Sequence, residues 1–289
     1  MPDEKHPIPI LFAFFDVLGT SKLVESKQIH KVYEMYDYIT ELMKKLHGGL
    51  SIGAVPDGAD GYAAVLFYQN IHFAHFSDTF ILWSEINAGP IEMTADSYTD
   101  DFSEPFLRIN FPRFPPFVQT CMNVFCEALD KGIPLRGCIS MGEAIMDKEK
   151  GHYVGEPLTE SAKGEAAQKW IGVSFGESFF RAPCFDCKML IPYTYHIKPT
   201  GTNKISNLAV DWPRYWREHK SGIDPIDTLN KLNDKPKFSD YYTNAIDFVR
   251  FSENNEKWWN KLKFKEIKNS EELIYAIEAW LNEYRQSEL

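Results

Sequence analysis

The sequence predicts an α+β fold in which a β-sheet carries helices, followed by an extension of different character. Apolar strand-like runs alternate with amphipathic segments over residues 8–180, in the order βαββαββαβ. Two successive α-β-β units predict a sheet with helices on one side and its other side free to pair or bind. Beyond residue 181, short strands and then Trp-rich helices follow. We therefore expect a domain of residues 1–180 and a C-terminal mixed and helical extension, residues 181–289, packed on it.

The first half begins with an apolar strand, residues 10–15, that ends at Asp16. A turn of small residues follows, and apolar side chains at three- and four-residue spacing then predict one amphipathic helix over 22–46. Residues 51–84 have the composition of strands and end in a hairpin. The acidic, proline-containing stretch 86–113 predicts a loop with a solvated face.

The second half shows the same two periodicities. Helices are predicted where apolar residues share one face, and strands where short apolar runs are bounded by glycine or proline. The predicted elements are a helix over 115–131, a strand pair over 133–140 and 141–146, a helix over 157–169, a strand over 171–175, strands near 188–198 and 205–211, and a last helix over 270–284.

Composition excludes several classes of protein. A net charge of −10 and a pI near 5.3 argue against a nucleic-acid-binding surface, which needs a basic face. No apolar stretch approaches the ~20 residues that span a bilayer, and the N-terminal residues lack the apolar core of a signal peptide. Five cysteines, an odd number, favour reduced thiols. We expect a cytoplasmic protein that contacts neither nucleic acid nor membrane.

Two aspartates stand out because each follows or interrupts an apolar strand. Asp16 ends the first strand, and Asp78 lies in the hairpin between residues 71–76 and 79–83. If these strands are neighbours, both carboxylates emerge at one edge of the sheet, beside the start of a helix, where free N–H groups favour phosphate. Carboxylates that hold divalent metal, next to a phosphate site, indicate nucleotide chemistry. The alternative is that both aspartates only cap a helix and a hairpin.

Three segments, in this order and spacing, resemble the catalytic core of class III nucleotidyl cyclases over residues 8–180. They are Phe14-Phe15-Asp16-Val17-Leu18-Gly19-Thr20-Ser21, Phe76-Ser77-Asp78, and Leu135-Arg136-Gly137-Cys138-Ile139-Ser140-Met141-Gly142 with Tyr153-Val154-Gly155 after it. The resemblance implies a ferredoxin-like βαββαβ core. It departs from the family at Ser77, where a glycine normally precedes the second aspartate.

The resemblance also implies roles for these residues. Asp16 and Asp78, with the carbonyl of Val17, would bind two divalent metal ions, Mn²⁺ or Mg²⁺, and backbone amides of Leu18-Gly19-Thr20 would contact the phosphates. Arg136 and Lys163 are candidates for the positive charge that a phosphoryl transition state requires. Arg136 has an equally simple alternative role, which is to brace the sheet by pairing with a neighbouring acid. The family's Asn-x-x-x-Arg pair is not reproduced, because Thr159 and Lys163 stand in its place.

The base preference follows from two substitutions within the same resemblance. Adenylate cyclases of this class carry a lysine and an aspartate that bind the adenine edge, where this chain has Ala74 and His152. The layout instead resembles the bacterial pyrimidine cyclases of anti-phage signalling, whose helix after the glycine turn reads G-x-x-L-x-E-A-x-x-L-E. Gly155, Leu158, Glu160 and Glu165 fit that pattern, whereas Ser161 and Gly164 depart from it. A pocket for uracil or cytosine would be lined by Phe14, Ala74, His75 and Tyr153.

These observations together predict a homodimeric pyrimidine cyclase. The expected reaction converts UTP to 3′,5′-cyclic UMP and diphosphate, and the product would act on a separate cyclic-nucleotide-binding effector in antiviral defence. The open alternatives are a cytidylate cyclase, a purine cyclase with an unusual pocket, and a degenerate module that binds nucleotide without turning it over.

Overall fold

The computed structural model describes residues 6–47, 71–86, 114–181, 189–198, 205–220, 222–233, 238–256, 258 and 270–287. The strand material predicted at 51–70, most of the loop predicted at 86–113, and residues 182–188, which include two of the five cysteines, lie outside these ranges.

Eight strands in the described ranges form a single sheet, in the order β2-β3-β1-β4-β6-β8-β7, with β5 paired to β4. Strands β1 to β4 are mutually antiparallel where they pair, which is the arrangement of a ferredoxin-like βαββαβ core. The predicted α+β fold is therefore confirmed. The strands are β1 Ile8–Val17, β2 His72–Phe76, β3 Thr79–Glu85, β4 Leu135–Asp147, β5 His152–Gly155, β6 Gly172–Gly176, β7 Leu190–Pro192 and β8 Ile205–Val210.

The helices predicted over 115–131, 157–169 and 270–284 lie close to their predicted positions, whereas two helices of the extension, Pro225–Leu232 and Ser239–Asn254, were not placed from the sequence. The helices of the described ranges are α1 Thr20–Glu25, α2 Ile29–His47, α3 Phe114–Asp130, α4 Glu156–Ala167, α5 Trp212–His219, α6 Pro225–Leu232, α7 Ser239–Asn254 and α8 Ser270–Ser287, with a 3₁₀ turn at Glu177–Arg181.

Two predicted elements are different in the structure. The single helix predicted over 22–46 is broken after α1, because Lys27 adopts a left-handed conformation with φ of 60° and Gln28 N–H donates to the Leu23 carbonyl. The polar residues at this break offer no apolar face to continue the helix. The strand pair predicted over 133–140 and 141–146 is one continuous strand, β4, since no turn-forming conformation interrupts it.

One face of the sheet, which we call the core face, carries the main hydrophobic core. Odd-numbered residues of β1 such as Leu11, Ala13 and Phe15 point into it. The amphipathic faces of α2 and α3 cover these strands, with Ile39 and Phe125 fully buried. This face holds most of the buried apolar side chains of the described residues.

The C-terminal extension shares this core. Its strand β8 pairs with β6, so the described part of residues 189–287 continues the sheet of the preceding domain. Trp212 of α5 lies 5.1 Å, ring to ring, from Phe125 of α3. Phe248 of α7 lies 4.4 Å from Trp170. The extension therefore completes the core face.

The opposite face, which we call the site face, differs from the expectation of a bare surface, because α4 lies on it. Small residues on both elements allow the close approach. A Cβ on Gly164 would clash with Cys138 Sγ, and one on Gly142 would lie 3.1 Å from Pro157 Cδ. Ser140 Oγ donates to the Pro157 carbonyl at 2.7 Å. Beyond α4, the site face over β1, β2 and β3 carries only a small apolar cluster.

Candidate active site

The structure brings the two predicted metal-binding aspartates together at the end of β1. Asp16 pairs across the sheet with Thr79, the residue after Asp78. The N–H of Val17 donates to the backbone carbonyl of Asp78 at 3.1 Å. The negative charge of Asp78 contributes to raising the pKa of Asp16, although burial is the larger cause. Strand pairing therefore places the carboxylates side by side, as the sequence predicts.

The hairpin turn before Asp78 explains why a glycine is expected there. Ser77 has a φ of 54°, in the left-handed region that costs a residue with a Cβ roughly 1 kcal/mol. The chain accepts this conformation, and Asp78 keeps its place at the turn. Ser77 therefore adopts the backbone conformation for which a glycine is expected at this position.

The turn between β1 and α1 carries the residues predicted to contact phosphate. Gly19 has a φ of 90°, which favours glycine, and Thr20 Oγ1 donates to Asp78 Oδ2 at 3.1 Å. The N–H of Leu18 already donates to the Pro134 carbonyl at 2.9 Å. In this conformation the backbone N–H groups that remain for an anion at this turn are those of Gly19 and Thr20. Because α1 has only six residues, its dipole contributes little.

Arg136 lies directly beside Asp16, its partner in the antiparallel pairing of β1 and β4. Its Nη2 is 3.0 Å from Asp16 Oδ2 and also contacts Glu165 Oε1 of α4. Only 12% of the Arg136 side chain is exposed. The contact with two acids matches the bracing role considered from the sequence, and it also puts a fixed positive charge next to the aspartate pair.

The ring of Tyr241, from α7 of the extension, covers the guanidinium of Arg136. The centroid of the ring lies 5.2 Å from Cζ, within range of a cation–π contact. Arg136 Nη1 also donates to the Gln168 carbonyl at 3.5 Å. The extension therefore helps to fix the arginine that touches Asp16.

Burial sets the ionisation of the acids around Arg136. Desolvation raises the pKa of Glu165 to about 7, against the opposing charge of Arg136. Desolvation likewise raises the pKa of Asp16, and the hydrogen bond from Arg136 opposes this rise. One arginine shared by two acids cannot compensate both fully, so this cluster lacks positive charge when both acids are ionised.

The predicted base pocket is partly assembled on the site face. Phe14, Ala74 and Tyr153 pack on the same small cluster, which is built around Phe12, Ile81 and Trp83. Tyr153 lies 5.4 Å, ring to ring, from Trp83. His75 is not part of it, because its ring contacts Phe80 of the core face at 5.6 Å.

This apolar surface is open to solvent at its edge. Phe76, whose ring lies 5.4 Å from that of Tyr153, is 45% exposed. Lys148 Nζ lies 5.3 Å from the centroid of the Trp83 ring and 2.7 Å from His72 Nδ1. An aromatic, partly exposed surface of this kind suits a flat ligand or a second protein chain.

Helix α4 shows which of its signature residues are structural. Glu160 accepts from the N–H of Ser178 at 2.9 Å and thereby fixes the 3₁₀ turn. Ser161 and Ser140 share a hydrogen bond of 2.6 Å between their hydroxyls. In contrast, Thr159 and Lys163 are exposed on the outer surface of α4. Neither side chain is directed at the aspartates of its own chain.

Three residues of this site were not identified from the sequence. Tyr36 of α2 is hydrogen-bonded to Thr20 and Ser77, and its pKa is raised, chiefly by burial and then by the charge of Asp78. Its position on the apolar face of a predicted helix indicated only a core residue. Glu165 appeared only within the α4 pattern, and Tyr241 lies in the extension, where no motif marked it.

The donor set around the aspartates fits a hard divalent cation. Two carboxylates, Asp16 and Asp78, and the carbonyl of Val17 are oxygen ligands of the kind that Mg²⁺ and Mn²⁺ prefer. Within the described ranges no group of three or more His, Cys, Asp or Glu residues could hold a metal. A cation here would thus complete its coordination with ligands from a substrate or water.

Comparison with known proteins gives the following. No family model and no curated protein matches the sequence. A bacterial light-regulated adenylyl cyclase is 12% identical with a TM-score of 0.45, covering 80% of this chain and 58% of its own length. The catalytic core of a rhodopsin-guanylyl cyclase with converted specificity, in complex with ATPαS, is 11% identical with a TM-score of 0.38, covering 71% of this chain and 96% of its own. Similarity at this level does not bear on the function, which has to follow from the residues.

Among the described helices, none combines the length and apolar character that crossing a bilayer demands.

Proposed function

We propose that this protein is a metal-dependent pyrimidine nucleotide cyclase that converts UTP to 3′,5′-cyclic UMP and diphosphate. The observation that carries the proposal is the position of Asp16 and Asp78 beside the Gly19 turn, on the same sheet face as an apolar cluster with Phe14 and Tyr153. One end of a nucleoside triphosphate requires charge and metal ligands, and the other requires a flat apolar slot. Both lie on one face of one sheet.

The carboxylates of Asp16 and Asp78 would hold two divalent cations, Mn²⁺ or Mg²⁺. When bound, these ions lower the pKa of the attacking 3′-hydroxyl and neutralise charge on the triphosphate. The backbone N–H groups of Gly19 and Thr20 would bind a phosphate oxygen. Arg136 supplies fixed positive charge beside the α-phosphate, where negative charge grows during the attack.

The base pocket supports a pyrimidine. Ala74 has no hydrogen-bonding side chain, and His152 is exposed at the start of β5, so neither position supplies the adenine-binding groups of the family. Ala74 of β2 and Phe14 of β1 both lie beside Ile81 of β3, and Tyr153 packs on the same apolar cluster. Without the adenine-binding groups, a single-ring base stacked on this apolar surface is the better match.

A homodimer fits the distribution of the functional groups. Thr159 and Lys163 stand on the outer surface of α4, where they would contribute to the site of a second copy. The exposed Phe76 lies on the site face beside Tyr153 and would be covered by that copy. The cyclic nucleotide product would act as a second messenger on a separate effector protein in bacterial antiviral defence, as in the pyrimidine cyclases that the sequence resembles.

One observation favours a second candidate, a nucleotide-binding module without turnover. The carboxylate of Asp16 is held by Arg136 at 3.0 Å, and such a contact competes with a metal ion for the same oxygen. A module of this kind would bind UTP but release it unchanged.

Product analysis by mass spectrometry tests both candidates. The purified protein is incubated separately with ATP, GTP, CTP and UTP in the presence of Mn²⁺, beside an Asp16→Asn control. Cyclic UMP formed only by the unaltered protein supports the proposal. Binding of UTP without any cyclic product would favour the module, a purine product would overturn the assignment of the pocket, and cyclic CMP would change only the base.

A further inference from the structure

A second cavity, of about 510 Å³, lies on the far side of the phosphate turn from the aspartates. It is an open cleft lined by α1, α2, the turn between α3 and β4, and α6 and α7 of the extension. Leu18 and Gly19 form part of its wall, whereas Asp16 and Asp78 do not line it. Its volume falls within the ~300–1,000 Å³ that is typical of small-molecule sites.

The apolar part of the cavity comes from side chains of several elements. Leu18, Ile133 and Pro134 are buried at its inner end, and Met35 and Leu232 are half-buried on its sides. The extension thus contributes to a pocket whose remaining walls belong to the N-terminal domain. Such an inner surface accepts an aliphatic or aromatic group.

The rim of the cavity is positively charged. Lys31 of α2, Lys131 at the end of α3 and Lys231 of α6 all line it, and Glu34 is the acid among the lining residues. No ion pair joins any of these three lysines to a carboxylate within the described ranges. Glu34 lies 3.3 Å from His30, and Lys131 Nζ lies 5.9 Å from the centroid of the Tyr38 ring. Three cations from three separate elements therefore converge on one opening of an otherwise acidic protein.

We propose that this cavity is a binding site for a small organic anion with an apolar body, distinct from the nucleotide site. The apolar body enters between Leu18, Ile133 and Leu232, and the anionic group lies at the rim against Lys131 and Lys231. Burial of the ligand's apolar body would supply most of the binding free energy. The lysines would favour ligands that carry a negative charge.

The site would also act on the neighbouring turn. Leu18 N–H donates to the Pro134 carbonyl at 2.9 Å, and both residues line the cavity. A ligand that packs on them holds the turn that carries Gly19 and Thr20. This effect on the cyclase rests on the proposed function, whereas binding at the cavity does not.

Fluorescence titration of the full-length protein with anilinonaphthalene sulfonate tests binding, because this probe is an aromatic anion. Phenylnaphthylamine, which has the same body without the sulfonate, is the matched neutral probe. The anionic probe is expected to bind about tenfold more tightly than the neutral one. Equal affinity for both probes would overturn the assigned charge preference.

Variants locate the site. Lys131→Glu/Lys231→Glu is expected to weaken binding of the sulfonate about tenfold, whereas Lys45→Glu/Lys169→Glu, with the same change of net charge at exposed positions elsewhere, leaves it unchanged. Leu232→Trp fills the cavity without a change of charge and should weaken binding of both probes. If the glutamate double variant does not fold, Lys131→Gln/Lys231→Gln replaces it.

Two outcomes would overturn the proposal. One is that both double variants weaken binding equally, which indicates a general charge effect. The other is that Phe76→Asp, on the site face, abolishes the signal while Leu232→Trp leaves it intact, which places the probe on the exposed apolar surface. The binding assays need no cyclase turnover, so a failure here is distinguishable from a failure of the proposed function.

Discussion

The two faces of the sheet are built on different principles. The core face is apolar and closed, with Phe125, Trp212 and Phe248 fully buried beneath α2, α3 and the extension. The site face carries a small apolar cluster, a helix seated on small residues, and the ionic cluster of Asp16, Arg136 and Glu165. Alternate residues of the same strands serve both faces. Stability and chemistry are therefore separated by residue parity along β1 and β4.

This separation predicts different effects for substitutions on the two faces. Substitutions on the core face should lower the free energy of unfolding and leave the chemistry of folded molecules intact. Neutral replacements of the two acids in the ionic cluster should instead change the chemistry with little loss of stability, because burial already raises the pKa of Asp16 and Glu165.

The largest effect is expected at the paired aspartates. Asp16→Asn and Asp78→Asn should each lower kcat by about a thousandfold or more, since each removes a charged metal ligand. The melting temperature of Asp16→Asn should stay at or above that of the unaltered protein, because burial already disfavours the charge of Asp16. Steady-state product formation and calorimetry measure the two quantities, with the exposed Asp227→Asn as control. Retained turnover in Asp16→Asn would contradict the assigned role.

A matched pair of phenylalanines compares the faces directly. Phe125→Ala on the core face should cost about 3–5 kcal/mol of unfolding free energy, because Phe125 is fully buried. Phe14→Ala on the site face should cost less, since Phe14 is only half-buried, but it should raise KM for the nucleotide. Urea unfolding and kinetics provide the measurements. Equal stability losses would show that the two faces are not distinct.

The titration of Glu165 makes the free energy of unfolding depend on pH. Burial raises its pKa from 4.5 to about 7, so the folded chain holds a proton that the unfolded chain releases between these values. The resulting stability is fully present below pH 4.5 and is lost as the pH rises through about 7, an effect of at most about 3 kcal/mol.

Glu165→Gln should remove this dependence. The variant is expected to be more stable than the unaltered protein at about pH 8 and to show no such gain at about pH 5. Urea titrations across this range measure the difference. Asp211→Asn is the control for the remaining slope, because burial raises the pKa of Asp211 to about 6. A constant difference between Glu165→Gln and the unaltered protein at all pH values would refute the assigned titration.

The smallest expected effect tests the seating of α4. Gly164→Ala should destabilise the protein by about 1–3 kcal/mol despite its better helix propensity, because the new Cβ meets Cys138 Sγ. Cys138→Ala removes that sulfur, so the double variant should recover most of the loss. A double-mutant cycle by thermal unfolding measures the coupling. Additive losses would mean that the two positions do not touch.

Periodicity in the sequence predicts most of the fold. Alternation along β1 and the apolar spacing in α3 follow directly from burial, and the pairing of Asp16 with Asp78 follows from placing two strands side by side. The break at Lys27 was missed because it depends on a single left-handed residue. The continuity of β4 was missed because Gly142 resembles a turn residue, although here it makes room for Pro157 of α4.

Only those residues of the candidate site that belong to a sequence motif could be predicted. Tyr241 stacks on Arg136 across more than a hundred residues of chain, and no local pattern encodes such a contact. Glu165 lies on a helix whose position over β4 depends on Gly164 and Ser161. Long-range packing of this type becomes visible only when the faces of the sheet are known.

The buried cysteines allow local opening of the two faces to be measured separately. Cys121 and Cys126 lie in the core face, and Cys138 lies under α4, all with 0% exposure. Burial raises the pKa of each of these thiols, that of Cys138 to about 12, so they are unreactive until the chain opens around them. The alkylation time of each thiol, followed peptide by peptide, therefore measures the free energy of local opening on one face. Metal and nucleotide should slow the labelling of Cys138 more than that of Cys121.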